Sequence, residues 1–209
     1  DYFTYLDLTN ARTDLVGAFN DTAPTATHFT VNTTSAVNLN GASFVAYLFA
    51  HNDGDGEFGP ERDQDIIKCG SYTGNGSSTG PVVDLGFECQ WLLIKPIDAT
   101  GNWLILDNMR GMTVGSTEAT LYANYAAAEN TSSDWLDLNP TGFQITNTGS
   151  GVNTNNNTYI YMAIRRGPLA VPDDATKVFH VNNYSGNSNS CLLYTSDAAD
   201  DSLRVDLGG

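Results

Sequence analysis

Gln90-Trp91-Leu92-Leu93-Ile94-Lys95 is a short, nearly continuous apolar run, as expected of a strand buried on both faces. It lies in the middle of residues 66–110, where turn signals cut apart three β-like runs. Upstream, Ile66-Ile67-Lys68-Cys69-Gly70-Ser71-Tyr72 leads into Ser71 to Gly80, a stretch almost wholly of Gly, Ser, Thr and Asn. That composition is loop chemistry between strands. Downstream, Asp98 to Asn102 is a polar break, and Trp103-Leu104-Ile105-Leu106-Asp107 is the next run. Further out, Ser43–Ala50, Phe143–Asn147 and Tyr159–Arg165 have the same character. These runs predict an all-β protein, an antiparallel β-sandwich built on residues 59–166. Trp91, Ile94, Leu104, Leu106, Ile160 and Met162 are expected to be mostly buried. Ala126-Ala127-Ala128 favours one helical turn, and Thr131 to Thr141 reads as loop.

Composition bounds the function. The 209 residues carry a formal net charge of −15 with only nine basic residues. A nucleic-acid binder needs a basic footprint, and none is visible. An anionic membrane surface is disfavoured for the same reason. No stretch approaches the roughly 20 apolar residues that a membrane span needs. Among the three cysteines, Cys69 and Cys89 sit on adjacent predicted strands.

The chain repeats itself. Phe29-Thr30-Val31 aligns with Phe143-Gln144-Ile145. With one residue inserted, Val37-Asn38-Leu39-Asn40 aligns with Val152-Asn153-Thr154-Asn155. Phe44-Val45-Ala46-Tyr47-Leu48 then aligns with Tyr159-Ile160-Tyr161-Met162-Ala163. A weaker match joins Val178–Asn187 to Ile66–Asn75. The implied period of about 112–115 residues is the size of a sandwich domain, not of a solenoid repeat. The expected organisation is the C-terminal part of one repeat (1–58), a complete repeat (59–170) and the start of a third (171–190).

Residues 191–209 break this pattern. Cys191-Leu192-Leu193-Tyr194-Thr195-Ser196-Asp197-Ala198-Ala199-Asp200 and Val205-Asp206-Leu207-Gly208-Gly209 resemble the two constant parts of a translated sequencing adapter. Such a scar is excluded from fold reasoning. Both ends of the chain therefore read as truncated, and the source as metagenomic.

Catalytic signals are weak. Gly76-Ser77-Ser78-Thr79-Gly80 formally matches a nucleophile elbow, but its flanks are a polar loop and a β run. A glycosidase needs two carboxylates flanking the scissile bond. Glu118, Glu129, Asp134 and Asp137 are available, on predicted loops. No catalytic residue is assigned. Asp53, Asp55 and Glu57 gather oxygen ligands in a Gly-rich turn, which admits calcium as the one candidate ion. Trp135, Tyr122 and Tyr125 are the candidate ligand-binding residues. Trp135 lies in a polar stretch and reads as an exposed aromatic on which a sugar ring would stack.

Tyr72-Thr73-Gly74-Asn75-Gly76-Ser77, Leu85-Gly86-Phe87-Glu88, Gln90–Lys95, Trp103, Arg110-Gly111 and Tyr159–Ala163 together resemble an uncharacterised repeat domain of marine bacteriophage tail and tail-fibre proteins. The likeness covers nearly all of residues 1–190, although the family often has Pro where this chain has Cys89. It implies a jelly-roll or concanavalin-like sandwich in a virion component that is not an enzyme. Its implied partners are other virion proteins or further copies of itself, with host-surface glycans as candidate ligands. A secreted extracellular carbohydrate-binding module and a polysaccharide-cleaving enzyme are the competing readings.

Overall fold

Strands that alternate between a core-facing and an outward side chain are the main regular structure among the described residues. The computed structural model describes residues 2–25, 27–49 and 64–167. The elements are β1 (Tyr2–Phe3), β2 (Thr13–Asp14), the single turns α1 (Val16–Phe19) and α2 (Ser35–Asn38), then β3 (Ile67–Thr73), β4 (Val82–Asp84) and β5 (Cys89–Pro96). They continue with β6 (Leu104–Asp107), β7 (Glu118–Tyr122), β8 (Asn130–Ser133), β9 (Leu136–Asn139), β10 (Gly142–Ile145) and β11 (Thr158–Arg165). The fold is all-β, and every strand pairing is antiparallel. A six-stranded sheet runs in the order β3-β11-β5-β6-β7-β8, and a three-stranded sheet in the order β4-β10-β9.

One core joins the two sheets. The large sheet supplies Tyr72, Leu92, Ile94, Leu104, Leu106, Tyr159 and Tyr161; the small sheet supplies Val83, Leu136, Phe143 and Ile145. Phe143 meets Tyr72 and Tyr161 edge-to-face across the interface, at ring-centroid distances of 6.3 and 5.8 Å. The predicted strands around Ile66, Trp91, Trp103, Phe143 and Tyr159 are all present, within one to two residues at most ends.

Ile94, Leu104 and Leu106 lie in the core, whereas Trp91, Ile160 and Met162 are buried only in part. The register places Tyr159, Tyr161 and Ala163 opposite Pro96, Ile94 and Leu92, so Ile160 and Met162 point to the outer face of the sheet. That outer face is itself apolar, and a run that is apolar on both sides does not say which side is inner. Residues 130–139, read as loop, form β8 and β9, while Ala126–Ala128 form no helix. Residues 43–49, read as a buried strand, form no strand and are exposed.

Residues 2–49 form no separate sandwich among the described residues. Their first part straps the turn after β5. Tyr5 O accepts from Trp103 Nε1 at 2.8 Å, and Thr9 O accepts from Gly101 N and from the buried Lys95 Nζ. Arg12 N donates to Ile97 O, and its guanidinium pairs with Asp98 at 3.1 Å. The expected repeat boundary at 58/59, the third repeat and the tail lie outside the described residues.

Cys69 and Cys89 are not joined. Cys69 pairs with Met162 on the outer face, whereas Cys89 is fully buried in the core. Burial pushes the Cys89 thiol up to about 12. Only the thiolate is an effective nucleophile. Native chain at pH 8 should therefore leave Cys89 unalkylated by iodoacetamide until denaturant is added, as read by mass spectrometry. Rapid modification of Cys89 in the folded chain would contradict this placement.

Candidate functional site

β7 turns Glu118, Thr120 and Tyr122 inward, since Tyr122 sits opposite the core residue Leu104. The two residues that link β8 to β9, Asp134 and Trp135, close over this face. Trp135 N donates to Glu118 Oε2 at 2.6 Å, and Trp135 Nε1 donates to Thr120 Oγ1 at 2.9 Å. The indole lies against Gly151, where an added Cβ would stand 3.4 Å from the ring. Trp135 O accepts from Thr146 N and Asn147 N. Asp134 Oδ1 accepts from Thr146 Oγ1 at 2.8 Å, and Asp134 O accepts from Asn147 Nδ2 at 2.7 Å.

Trp135 is therefore half-buried and held in a clamp between the sheets, not an exposed stacking aromatic as expected. Its polar neighbours in sequence are the clamp's hydrogen-bonding groups. Only the distant residues Thr120 and Gly151 reveal that the ring has a bed.

Glu118 is fully buried and lies on a strand rather than on the expected loop. Burial is the main cause that pushes its carboxyl up to about 7, with the charges of Asp134 and Asp137 adding to the effect and the Trp135 N–H opposing it. Its Oε1 has no hydrogen-bond partner. Among the described residues no group of His, Cys, Asp and Glu is arranged to hold a metal ion. The calcium candidates Asp53, Asp55 and Glu57 lie outside the described residues.

Tyr122 and Tyr125 do come together. Their ring centroids are 6.0 Å apart and the rings are tilted by 57°. Tyr122 packs against the core, while Tyr125 is 58% exposed. The turn between them is fixed from below: Asn124 Oδ1 accepts from Trp103 N at 2.7 Å, and Asn124 Nδ2 donates to Asn102 Oδ1 at 2.9 Å. Glu129 is held by Arg110, which also pairs with Asp107. The result is an aromatic pair, one ring packed and one exposed, on a turn whose side-chain amides are hydrogen-bonded within the protein. Sequence reasoning missed a second concavity of about 470 Å³ walled by Met109, Met112, Val114, Leu138 and Pro140. The spacing Met109-Arg110-Gly111-Met112 after a strand was its only signal.

A family model described as a domain of unknown function (DUF7483) matches residues 1–168. No curated protein and no solved structure matches the chain.

Proposed function

The chain belongs to the DUF7483 family, and from that premise we propose that it is a structural module of a bacteriophage tail or tail fibre that touches host-surface glycan through Tyr122 and Tyr125. The observation that carries this reading is where the phage-like motif residues sit. Tyr72 stacks on Tyr159 at 5.1 Å and donates from its hydroxyl to Val152 O at 2.8 Å. Gly74 faces the Thr154 carbonyl so closely that a Cβ would overlap it. Leu85 and Phe87 are core residues. A motif whose residues are engaged in packing specifies a scaffold, which suits a virion component. The concanavalin-like description draws its support from two antiparallel sheets of unequal size about one core.

The glycan contact rests on the exposed Tyr125. Aromatic stacking of this kind contributes about 0.5–1.5 kcal/mol. Tyr125→Ala is expected to weaken binding to its best ligand on a glycan array by up to about tenfold, with melting unchanged. Unaltered binding would remove Tyr125 from the site. The aromatic pair equally suits a secreted carbohydrate-binding module. Mass spectrometry of purified virions separates the two, because only the tail reading puts peptides of this chain in the particle. Among the described residues no helix is long and apolar enough to cross a membrane.

A further inference from the structure

β8 has little of its own to hold it in place. It is Asn130-Thr131-Ser132-Ser133, with no apolar and no fully buried residue. In the large sheet it is the last strand, and among the described residues β7 is its one neighbour there. Even that pairing is irregular: Glu118 stands opposite Ser133 and Thr120 opposite Asn130, with a shift of register between them. A segment with few buried apolar contacts opens locally at a lower cost than the core strands.

The linker that follows β8 supplies the missing hold, in two halves. One half ties it to β7: Trp135 N donates to Glu118 Oε2, and Trp135 Nε1 donates to Thr120 Oγ1. The other half ties it to the residues just after β10: Thr146 and Asn147 donate to the carbonyls of Trp135 and Asp134 and to the Asp134 carboxylate. The β10 half involves no group that Glu118 can discharge or repel directly. The β7 half rests on Glu118 itself, which is fully buried with Oε1 unpartnered. The charged groups that act on Glu118 are Asp134 from the linker and Asp137 from β9, both acidic. β8 and β10 carry no titratable side chain.

We propose that Asn130–Trp135 is a proton-controlled flap: with Glu118 neutral it is latched onto β7, and with Glu118 ionised it swings away on the Thr146 and Asn147 bonds, baring the edge of β7 and the indole of Trp135 while the core between the sheets stays closed. The driving force is hydration. Lifting the flap gives the carboxylate water and separates it from Asp134. The direction follows from linkage. Under the closed flap the carboxyl sits at about 7, against an ordinary value of 4.5 once water reaches it. Below 4.5 the proton is bound in both states and has no effect on the flap. As pH rises to 7 and beyond, the open state releases the proton first, so the ratio of open to closed flap climbs by on the order of 100-fold. The flap is independent of the glycan reading, since neither Tyr122 nor Tyr125 takes part in it.

Hydrogen–deuterium exchange on the full chain tests this, from pH 5 to pH 8, with rates corrected for the intrinsic effect of pH on exchange. Protection of residues 130–135 should fall on the order of 100-fold in the parent. In Glu118→Gln, which keeps an oxygen for Trp135 N–H and cannot ionise, it should stay level. At every pH residues 130–135 should exchange faster than β5 and β11, and dilute denaturant should speed the core strands but not the flap, because lifting six residues exposes little surface. Level protection in the parent would overturn the proposal by itself, whatever the variant does. An equal fall in parent and glutamine variant would overturn it too. So would flap exchange no faster than that of β5 and β11, which would mean that the corner opens only when the whole fold does.

Discussion

Asn153→Ala is expected to lower the melting temperature by roughly 6–12 °C, the shift that about 3 kcal/mol produces in a chain of this size. The side chain is fully buried and makes three hydrogen bonds, two to the loop before β4 and one to the turn after β10. Nδ2 reaches Ser77 O at 2.7 Å and Asn147 O at 2.9 Å, and Oδ1 accepts from Asn75 N at 2.8 Å. The Asn75 N–H fixes which end of the amide is the oxygen. Alanine leaves one donor and two acceptors without partners, and each unmade buried bond costs about 1–3 kcal/mol. The outward-facing residues Asn75 and Ser77 recover part of this from water, which holds the total near the lower end. Asn153→Asp discriminates a hydrogen-bonding role from mere space filling. At neutral pH it keeps the shape but turns a carboxylate oxygen toward two carbonyl oxygens, so it should melt no higher than the alanine variant. Acidification should restore part of its stability, because a protonated carboxyl donates to one of them. An aspartate variant that melts like the parent at neutral pH would show that the amide's donors contribute little.

What the sequence made legible was whatever its local pattern determines. Gln90–Lys95 and Leu104–Asp107 announced β5 and β6 because their apolar runs end at turn residues. Ser71–Gly80 announced a loop because no other structure suits so much Gly, Ser and Asn. The failures share a cause, which is that the deciding neighbours lie far away in sequence. Phe44–Phe49 has the composition of a central strand, and composition says which neighbours a strand needs, not whether they are there. In β7 the apolar Leu121 is exposed, while the polar Glu118 and Thr120 are fully buried. Alternation alone inverts that strand. β8, Asn130-Thr131-Ser132-Ser133, carries no apolar signal and exists through pairing to β7. β9 did carry one, the alternation Leu136-Asp137-Leu138-Asn139, which the surrounding Ser, Asp and Asn residues masked. The candidate site divides the same way. Tyr122 and Tyr125 were legible as aromatics three apart on a short turn, whereas the bed of Trp135 is made by residues 15 positions upstream and more than ten downstream.

Glu118 should make the fold less stable as pH rises from about 4.5 to 7, and Glu118→Gln should remove that dependence. In the folded chain the carboxyl is pushed up to about 7 against an ordinary value of 4.5. Below 4.5 it is protonated in both folded and unfolded chain, and contributes no difference. Between 4.5 and 7 the unfolded chain releases the proton and the folded chain keeps it, so the folded state loses ground steadily. Above 7 both are ionised and the penalty is complete. At 1.36 kcal/mol per unit it amounts to at most roughly 3 kcal/mol. Physically it is the cost of charging a group that has lost its water, with one Oε1 unpartnered and the charges of Asp134 and Asp137 close by, offset only in part by the Trp135 N–H. Glutamine keeps an oxygen for that N–H and cannot be charged. A formal charge of −15 will make the whole chain more self-repulsive as pH rises, in parent and variant alike. The informative quantity is therefore the difference between the two. Melting of both chains across pH 4.5–8 should show the glutamine variant close to the parent at pH 4.5 and above it by roughly 6–12 °C at pH 8, the shift for about 3 kcal/mol. A gap of constant size across that range would show that Glu118 titrates as an ordinary carboxylate, and that water reaches the corner beneath Trp135.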